Sequence, residues 1–468
     1  MHKKKSHIHF VGIGGIGMSG IATILKQNGH TISGCDPNID QDTVTQLKKM
    51  GCHIYQGNNS IQCNDTTIDA LVYIPMYATT IPAITTEIRQ AQSRGISTLS
   101  RAQILAELMR ANQQSIAIAG SHGKTTTTSL ISHILIASDI NPTVVIGGQL
   151  KNINSNARTG NGNVLVAEAD ESDRSFLELY ATIGVITNID LEHLETYANL
   201  DDIKNCFIQF VHNIPLNGKA VVCTDDENIR SILPLIQRKK VSYGIKHEAD
   251  FFACNIVLNT DHSIFTVYKR NNNIPLGTIV LPIPGEHNIY NSLAAIAVAQ
   301  EVGLNFETIT KSLASFGGVA RRFSFHGTYQ GAEMFDDYGH HPKEIENTLT
   351  VARKRTHNKL IVVFQPHRYT RTQKLWNDFL STFATSNINH LIITDIYSAG
   401  EYPIPTITSQ RLAQELTNIN PPFTIEYIPF EGNFSQIKDA IKRSVEQNDL
   451  LLFLGAGKVH LIADEIAE

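Results

Sequence analysis

The chain has 468 residues, 42% of them hydrophobic and 18% charged, with 39 basic against 44 acidic side chains for a net charge of -5. At about 100 to 200 residues per domain this length corresponds to about three domains, and the low charged fraction excludes a disordered chain. The near balance of charge gives no ground for nucleic acid or an anionic membrane as the main partner, and no run of about 18 apolar residues is present to span a bilayer.

The cysteines, at positions 35, 52, 63, 206, 223 and 254, form no CxxC or zinc-like spacing with histidine. In a chain of this length they read as reduced thiols of a cytoplasmic protein. Met1 to Lys5 and the apolar stretch Phe10 to Leu25 have the outline of a signal peptide, but Gly12, Gly14, Gly15, Gly17 and Gly20 interrupt it. Each glycine costs a helix about 1 kcal/mol relative to alanine, so the outline is set aside.

In chain order, Ile8 to Ile13 is predicted as a strand, followed by a glycine turn and a helix from Met18 to Asn28 that stops at Gly29. Strand-helix alternation continues to a helix over Arg101 to Arg110, after which the polar Asn112-Gln113-Gln114 marks a first linker. Within this segment Gly12-Ile13-Gly14-Gly15-Ile16-Gly17 leaves a strand and opens a helix, and Asp36 lies 19 residues beyond Gly17. Such a turn lets backbone amides reach a diphosphate at a helix N-terminus, while the acid meets a ribose hydroxyl. Taken alone it fits a nicotinamide dinucleotide, another diphosphate such as a UDP-sugar, or a turn used only for packing.

A second segment opens with a strand at Ser115 to Ala119, turns through Gly120-Ser121-His122-Gly123-Lys124-Thr125-Thr126 and enters a Thr-rich helix. The turn supplies amides for phosphates, a lysine for the β- and γ-phosphates and a threonine hydroxyl for Mg²⁺, although Ile118 stands where the longer phosphate-loop pattern has its first glycine. Two acidic clusters, Glu168-Ala169-Asp170-Glu171 and Asp190-Leu191-Glu192-His193, follow predicted strands Val164 to Ala167 and Ile183 to Thr187, where metal ligands for a nucleotide belong. A solvated turn carboxylate is the plain alternative for any one of them. A strand is predicted over Ala220 to Cys223, a β-rich insert between about Val241 and Pro284, and a closing helix over Asn288 to Val302.

The third segment, after Arg321-Arg322-Phe323, carries predicted strands at Leu360 to Phe364, Leu391 to Thr394 and Asp449 to Leu454. Its loops hold Asp336-Asp337-Tyr338-Gly339-His340-His341-Pro342, Gln365-Pro366-His367-Arg368-Tyr369-Thr370-Arg371 and Gly455-Ala456-Gly457-Lys458. Two arginines three apart can clamp a carboxylate or phosphate, and the histidines lack the spacing of a zinc site.

Together with Gly285-x-His-Asn-x-x-Asn291 and Gly318-Val-Ala-Arg-Arg-Phe323, these motifs resemble in content and order the ATP-dependent Mur ligases of bacterial cell-wall synthesis, over about Ile8 to Gly457. Within that family the set is most similar to the branch that adds L-alanine to UDP-N-acetylmuramic acid. The resemblance implies an α/β fold of three domains. These are a Rossmann-like N-terminal domain for the UDP-sugar (1–112), a central phosphate-loop ATPase domain with a mostly parallel sheet plus the β-rich insert (113–322), and a Rossmann-like C-terminal domain that completes the ATP and amino-acid sites (323–468). It further implies ATP and Mg²⁺ as cofactors, UDP-N-acetylmuramic acid and L-alanine as substrates, no nucleic acid, no membrane insertion, and a monomer or weak homodimer. Hinges are expected at the two linkers.

By the same resemblance, Gly120, Ser121, His122, Gly123, Lys124, Thr125 and Thr126 bind ATP, joined by Asn288 and Asn291 on the adenine side and by Arg322 and Asp337. Thr125, Glu168 and His193 hold Mg²⁺; Lys124, Glu168, His193 and Arg322 carry the catalysis. Gly12, Gly14, Gly15, Gly17, Met18, Ser19 and Asp36 bind the UDP-sugar, and Tyr338, His340, His367, Arg368 and Arg371 surround the amino acid. The sequence departs from the family pattern at Tyr73 to Tyr77, where relatives carry a Ser-rich turn, at Glu192 beside the metal histidine, and at Lys458. No lysine occurs in Glu168 to Leu177, so no carbamylated lysine is predicted. A murein-peptide recycling ligase, an NAD-dependent oxidoreductase and a non-catalytic nucleotide-binding regulator are the rival readings. The oxidoreductase leaves the phosphate loop unexplained, and the regulator leaves the His/Arg loops unexplained.

Overall fold

The structure, a computed structural model, describes residues 5–57, 67–75, 78, 81–193, 196–270 and 274–467. Most of the charged stretch at the N-terminus, Cys63, Met76 and Tyr77 lie outside the described residues.

Strands β1 (His7–Val11), β2 (Thr31–Asp36), β3 (His53–Gln56), β4 (Ala70–Tyr73) and β5 (Ser97–Ser100) form a parallel five-stranded sheet in the order β3-β2-β1-β4-β5. The chain steps outward from β1 to β3 and then returns across β1 to β4. That reversal is the crevice where open α/β sheets take ligands, and the glycine turn leaves β1 at that point.

The second sheet contains β6 (Gln114–Ala119), β7 (Thr143–Leu150), β8 (Ser155–Arg158), β9 (Val164–Glu168), β10 (Ile183–Ile186), β11 (Lys219–Cys223), β12 (Lys239–Gly244), β13 (Phe251–Leu258), β14 (Ser263–Lys269) and β15 (Pro275–Leu281). They make a ten-stranded sheet ordered β15-β14-β13-β12-β11-β10-β6-β9-β7-β8. The β-rich insert is therefore an edge of this sheet: β13 pairs parallel to β12 with Tyr243 opposite Phe251, and β14 and β15 pair antiparallel. Its reversal of strand order falls at β6, which delivers the phosphate loop. Helix Lys124–Ala137 has four threonines directly after Lys124, whose branched side chains disfavour a helix, but Leu130, Ile131, Ile134 and Leu135 are buried and the helix packs against Glu286–Glu301.

The third sheet has β16 (Ser324–Tyr329), β17 (Ala332–Asp337), β18 (Leu360–Phe364), β19 (His390–Thr394), β20 (Thr424–Ile428) and β21 (Leu450–Leu454) in the order β16-β17-β21-β18-β19-β20. All are parallel except the β16–β17 hairpin. Leu360, Val362 and Phe364 belong to one core and Ile361 and Val363 to the other, as expected for a strand buried on both faces.

The chain packs as two compact units, 1–257 with 263–318, and 258–262 with 319–468. The first unit holds the first two sheets in contact. Helix Ile16–Gln27 lies against β7 and β8, where a Cβ on Gly20 would stand 3.4 Å from both Ala157 and Asn156. Asn156 Nδ2 donates to Ile16 O at 2.6 Å, and Arg101 Nη2 meets Asp170 Oδ2 at 3.0 Å. Among the described residues no helix is long and apolar enough to cross a membrane.

Candidate active site

The chain leaves β6 through Gly120 (φ +134°) and Gly123 (φ +79°), conformations that favour glycine. Space demands it as well, since a Cβ would run into Thr187 Oγ1 at Gly120 and reach 2.5 Å from Asn291 Oδ1 at Gly123. Asn188 pins the turn: its backbone oxygen accepts from Ser121 N at 3.1 Å and its Oδ1 from His122 N at 2.8 Å.

Lys124 Nζ donates to Gly120 O at 2.6 Å and Ser121 O at 3.1 Å, and lies 2.8 Å from Glu171 Oε2. Burial opposes its charge, but Glu171 and Glu168 outweigh burial and hold the ammonium above the usual lysine range. Thr125 Oγ1 donates to Glu168 Oε1 at 3.2 Å, and Gly147 N donates to Glu168 Oε2 at 2.9 Å. Burial pushes the Glu168 carboxyl up, against the pull of Lys124.

The three residues predicted to hold metal fall into two groups. Thr125 pairs with Glu168, whereas His193 (φ +54°) has Nε2 3.3 Å from Glu171 Oε1 and 3.4 Å from Glu192 Oε2. Ligand atoms of Glu171, Glu192 and His193 lie within 4.8 Å of one another. Glu171, which touches both Lys124 and His193, was not singled out by the motifs, although it closes the Glu168-Ala-Asp-Glu cluster. Asn188, likewise missed, had no motif signal.

His122 Nε2 lies 3.3 Å from Glu192 Oε1. Thr126 shares the first helical turn and is half-buried. Asn291 Oδ1 accepts from Thr127 Oγ1 at 3.1 Å and its Nδ2 donates to Asn288 Oδ1 at 3.2 Å, which seats this pair beside the start of the phosphate-loop helix.

At the glycine turn, Gly12 N donates to Cys35 O at 2.8 Å and Gly14 N to Asp36 Oδ2 at 2.8 Å. Asp36 is buried, and its Oδ1 accepts from Asn38 N at 2.9 Å and Gln41 Nε2 at 3.0 Å. In this structure Asp36 closes the turn. Gly15 caps the helix and is exposed, whereas Met18 and Ser19 are buried, with Ser19 Oγ donating to Ile16 O at 3.0 Å.

In the second unit, β17 delivers Asp337 into the interior, where Gly339 N donates to Oδ1 at 2.7 Å and Phe323 N to Oδ2 at 2.8 Å. Burial pushes this carboxyl up to about 6 even though Arg322 works against the shift. Arg322 lies over the Tyr338 ring at 5.5 Å and 3.8 Å from Glu344 Oε1. Its neighbour Arg321 donates to Gly455 O at 2.7 Å and so holds the loop after β21, while Lys458 N donates to Gln365 Oε1 at 2.8 Å.

Tyr338, His340, His367 and Arg371 come together. The His340 ring lies 5.3 Å from Tyr338 and 5.6 Å from His367, and Tyr397, absent from the predicted set, stacks on His367 at 5.6 Å. Arg371 Nη1 is 3.0 Å from His367 Nδ1. A guanidinium only donates, so that Nδ1 is bare and the proton of the neutral ring sits on Nε2. His340 Nδ1 lies 3.0 Å from Tyr338 O, which only accepts, so His340 has the opposite tautomer with a bare Nε2. Burial, reinforced by Arg371 and Arg368, pushes His367 down to about 3, and burial with Arg371 takes His340 well below the usual histidine range. Arg368 is turned toward Glu401, 3.6 Å from Oε1.

Three family models match the chain in succession: the Mur ligase family catalytic domain over residues 7–113, the Mur ligase middle domain over 118–299, and the Mur ligase glutamate ligase domain over 321–457. A UDP-N-acetylmuramate–L-alanine ligase of Syntrophus aciditrophicus is 44% identical, covering 99% of this chain and 93% of its own. One from Geotalea daltonii is 42% identical over 100% of this chain and 99% of its own. Among solved structures, a UDP-N-acetylmuramate-alanine ligase of Thermotoga maritima matches with a TM-score of 0.81 at 27% identity over 98% of each chain.

Proposed function

The chain belongs to the Mur ligase family, and from that premise we propose that it uses ATP to join L-alanine to the carboxylate of UDP-N-acetylmuramate in peptidoglycan precursor synthesis, giving ADP and phosphate. The full-length likeness to ligases of that name supports the choice of substrates. The observation that carries the chemistry is the phosphate loop, with Lys124 between the loop carbonyls and Glu171, and Thr125 against Glu168. We assign the UDP-sugar to 1–112, ATP to 113–322 and the amino acid to 323–468, in a cytoplasmic monomer or weak homodimer.

In the first step a muramyl carboxylate oxygen bonds to the γ-phosphorus as the bond to ADP breaks, giving an acyl phosphate. The alanine amine, having lost a proton, then attacks the acyl carbon through a tetrahedral intermediate, and phosphate leaves. The first attack brings two anions together, and at 4 Å unit charges repel by about 4 kcal/mol at an effective dielectric of 20. The Lys124 ammonium lowers that repulsion, and Arg322 is a further cation for phosphate.

The oxygens of Thr125 and Glu168, and the carboxylates with imidazole of Glu171, Glu192 and His193, are a donor set that suits Mg²⁺. When bound, Mg²⁺ would neutralise phosphate charge. For the amino acid, Arg371 and His367 Nε2–H offer donors to its carboxylate, His340 Nε2 offers an acceptor to its amine, and Tyr338 contributes a ring wall. Arg368, ion-paired with Glu401, is a second cation of this group.

The test is phosphate release from ATP with UDP-N-acetylmuramate and each of L-alanine, L-serine, glycine and a tripeptide. L-Alanine is expected to give the fastest turnover. Release with the tripeptide alone would replace this reading with a peptide-recycling ligase.

A further inference from the structure

Arg101 belongs to none of the motifs, yet its guanidinium stands between the glycine turn and the acidic segment of the phosphate-loop site. It is the first residue of helix Arg101–Arg110, where the helix dipole disfavours a cation, so helix stability does not account for it. Its Nη2 meets Asp170 Oδ2 at 3.0 Å, with Ser175 Oγ at 3.5 Å. Its Nη1 lies 3.0 Å from where a Cβ on Gly17 would be, so the guanidinium sits in close contact with the first turn of helix Ile16–Gln27. Among the described residues no hydrogen bond engages Nη1 or Nε, and the side chain is 22% exposed. A guanidinium has five donors in a fixed fork, and a helix N-terminus next to such a fork is a place for phosphate oxygens.

The other end of the contact is equally placed. Asp170 lies between Glu168, which takes the Thr125 hydroxyl, and Glu171, which takes Lys124. Resting on the assignment of the glycine turn to the UDP-sugar, we propose that Arg101 binds the diphosphate of the sugar nucleotide with the edge facing Gly17 and, through Asp170, couples that site to the ATP site. Arg101 is then a binding residue for one substrate and a positioning residue for the other.

Binding of UDP-N-acetylmuramate and of a non-hydrolysable ATP analogue, each alone and together, is measured by calorimetry on the full chain. Arg101→Ala is expected to weaken UDP-N-acetylmuramate by about ten- to a hundredfold, the range for a lost charge-assisted contact, and the ATP analogue alone by less than about threefold. Any mutual tightening of the two ligands in the wild type is expected to vanish in both Arg101→Ala and Asp170→Asn, and because coupling is reciprocal it is read from either ligand. Arg101→Lys, which keeps the charge but loses the fork, is expected to recover part of the sugar-nucleotide affinity. In kinetics the KM for the sugar nucleotide is expected to rise while that for L-alanine stays put.

Gly15→Val separates the proposal from its premise, because a Cβ there meets nothing closer than Gly12 O at 3.6 Å yet a branched side chain covers the exposed turn. If Gly15→Val loses UDP-N-acetylmuramate and Arg101→Ala does not, the turn keeps its assignment and the role of Arg101 is overturned. If Gly15→Val binds normally, the assignment of the turn falls and the proposal with it. Equal weakening of both ligands in Arg101→Ala, with no recovery in Arg101→Lys, would reduce Arg101 to a structural ion pair.

Discussion

The ammonium of Lys124 and the carboxylate of Glu171 meet at 2.8 Å across 47 residues of chain. Glu171 is buried and also stands 3.3 Å from His193, so one carboxylate orients both the proposed phosphate-binding cation and the proposed metal-binding histidine. Lys124→Ala is expected to abolish phosphate release. Glu171→Gln, which keeps the volume and removes the charge, should lower turnover by about tenfold or more, the scale of losing a charged hydrogen-bond partner. A Glu171→Gln enzyme with wild-type turnover would show that Lys124 is placed by the loop carbonyls alone.

Thr125→Val and Glu168→Gln are expected to raise the Mg²⁺ concentration that half-saturates phosphate release by about tenfold or more. His193→Ala should do so through the separate group with Glu171 and Glu192. Because Thr125 and Glu168 share a contact, their double variant should cost less than the two single losses combined. Full additivity in the Mg²⁺ titrations would separate them.

Arg371→Ala should raise the KM for L-alanine more than that for ATP. It also removes the cation that, after burial, does most to depress His367, which lies at about 3. The ring should then titrate higher, toward the usual histidine value near 6.5. Histidine NMR across pH 3 to 7 reads this directly, and an unmoved His367 would mean that burial and the remaining arginines set its state without Arg371.

Asp337 gives a pH dependence with an unusual sign. Its folded pKa of about 6 lies above the ordinary aspartate value of 3.8, so the folded chain holds this proton more tightly. The resulting contribution is fully present below the unfolded value and is lost as pH rises through about 6, to a total of roughly 3 kcal/mol. Asp337→Asn does not titrate there. Denaturant unfolding of both proteins should show wild type losing stability relative to the variant from pH 4 to pH 7, and a flat difference would mean that its two backbone donors offset burial completely.

Local chemistry was legible in the sequence wherever one turn carries it. The glycines at 120 and 123, the helix over Arg101–Arg110 and the strand Leu360–Phe364 stand where residue type and pattern placed them. What pairs across distance was not legible. The Asp170 partner of Arg101 is 69 residues away, and the β-rich insert shows as a sheet edge only once β13 is seen beside β12. Strand β20, Thr-Ile-Glu-Tyr-Ile, is an edge strand with one buried residue, so it carries little of the apolar signal that marks β21. Residues already bonded within the fold, Asp36 and Arg368 among them, show how a motif names a position without naming the contact it makes.

The face on which helix Ile16–Gln27 meets β7 and β8 governs how this polypeptide can be dissected. Its first two family segments share a contact surface through Gly20, Asn156 and the Arg101–Asp170 pair. A fragment ending near residue 112 would expose that surface to water and invite aggregation, whereas one ending at Gly318 keeps it covered. Gene fragments for separate expression, and sites for a proteolytic tag, therefore belong after Gly318 rather than at the polar Asn112-Gln113-Gln114 stretch.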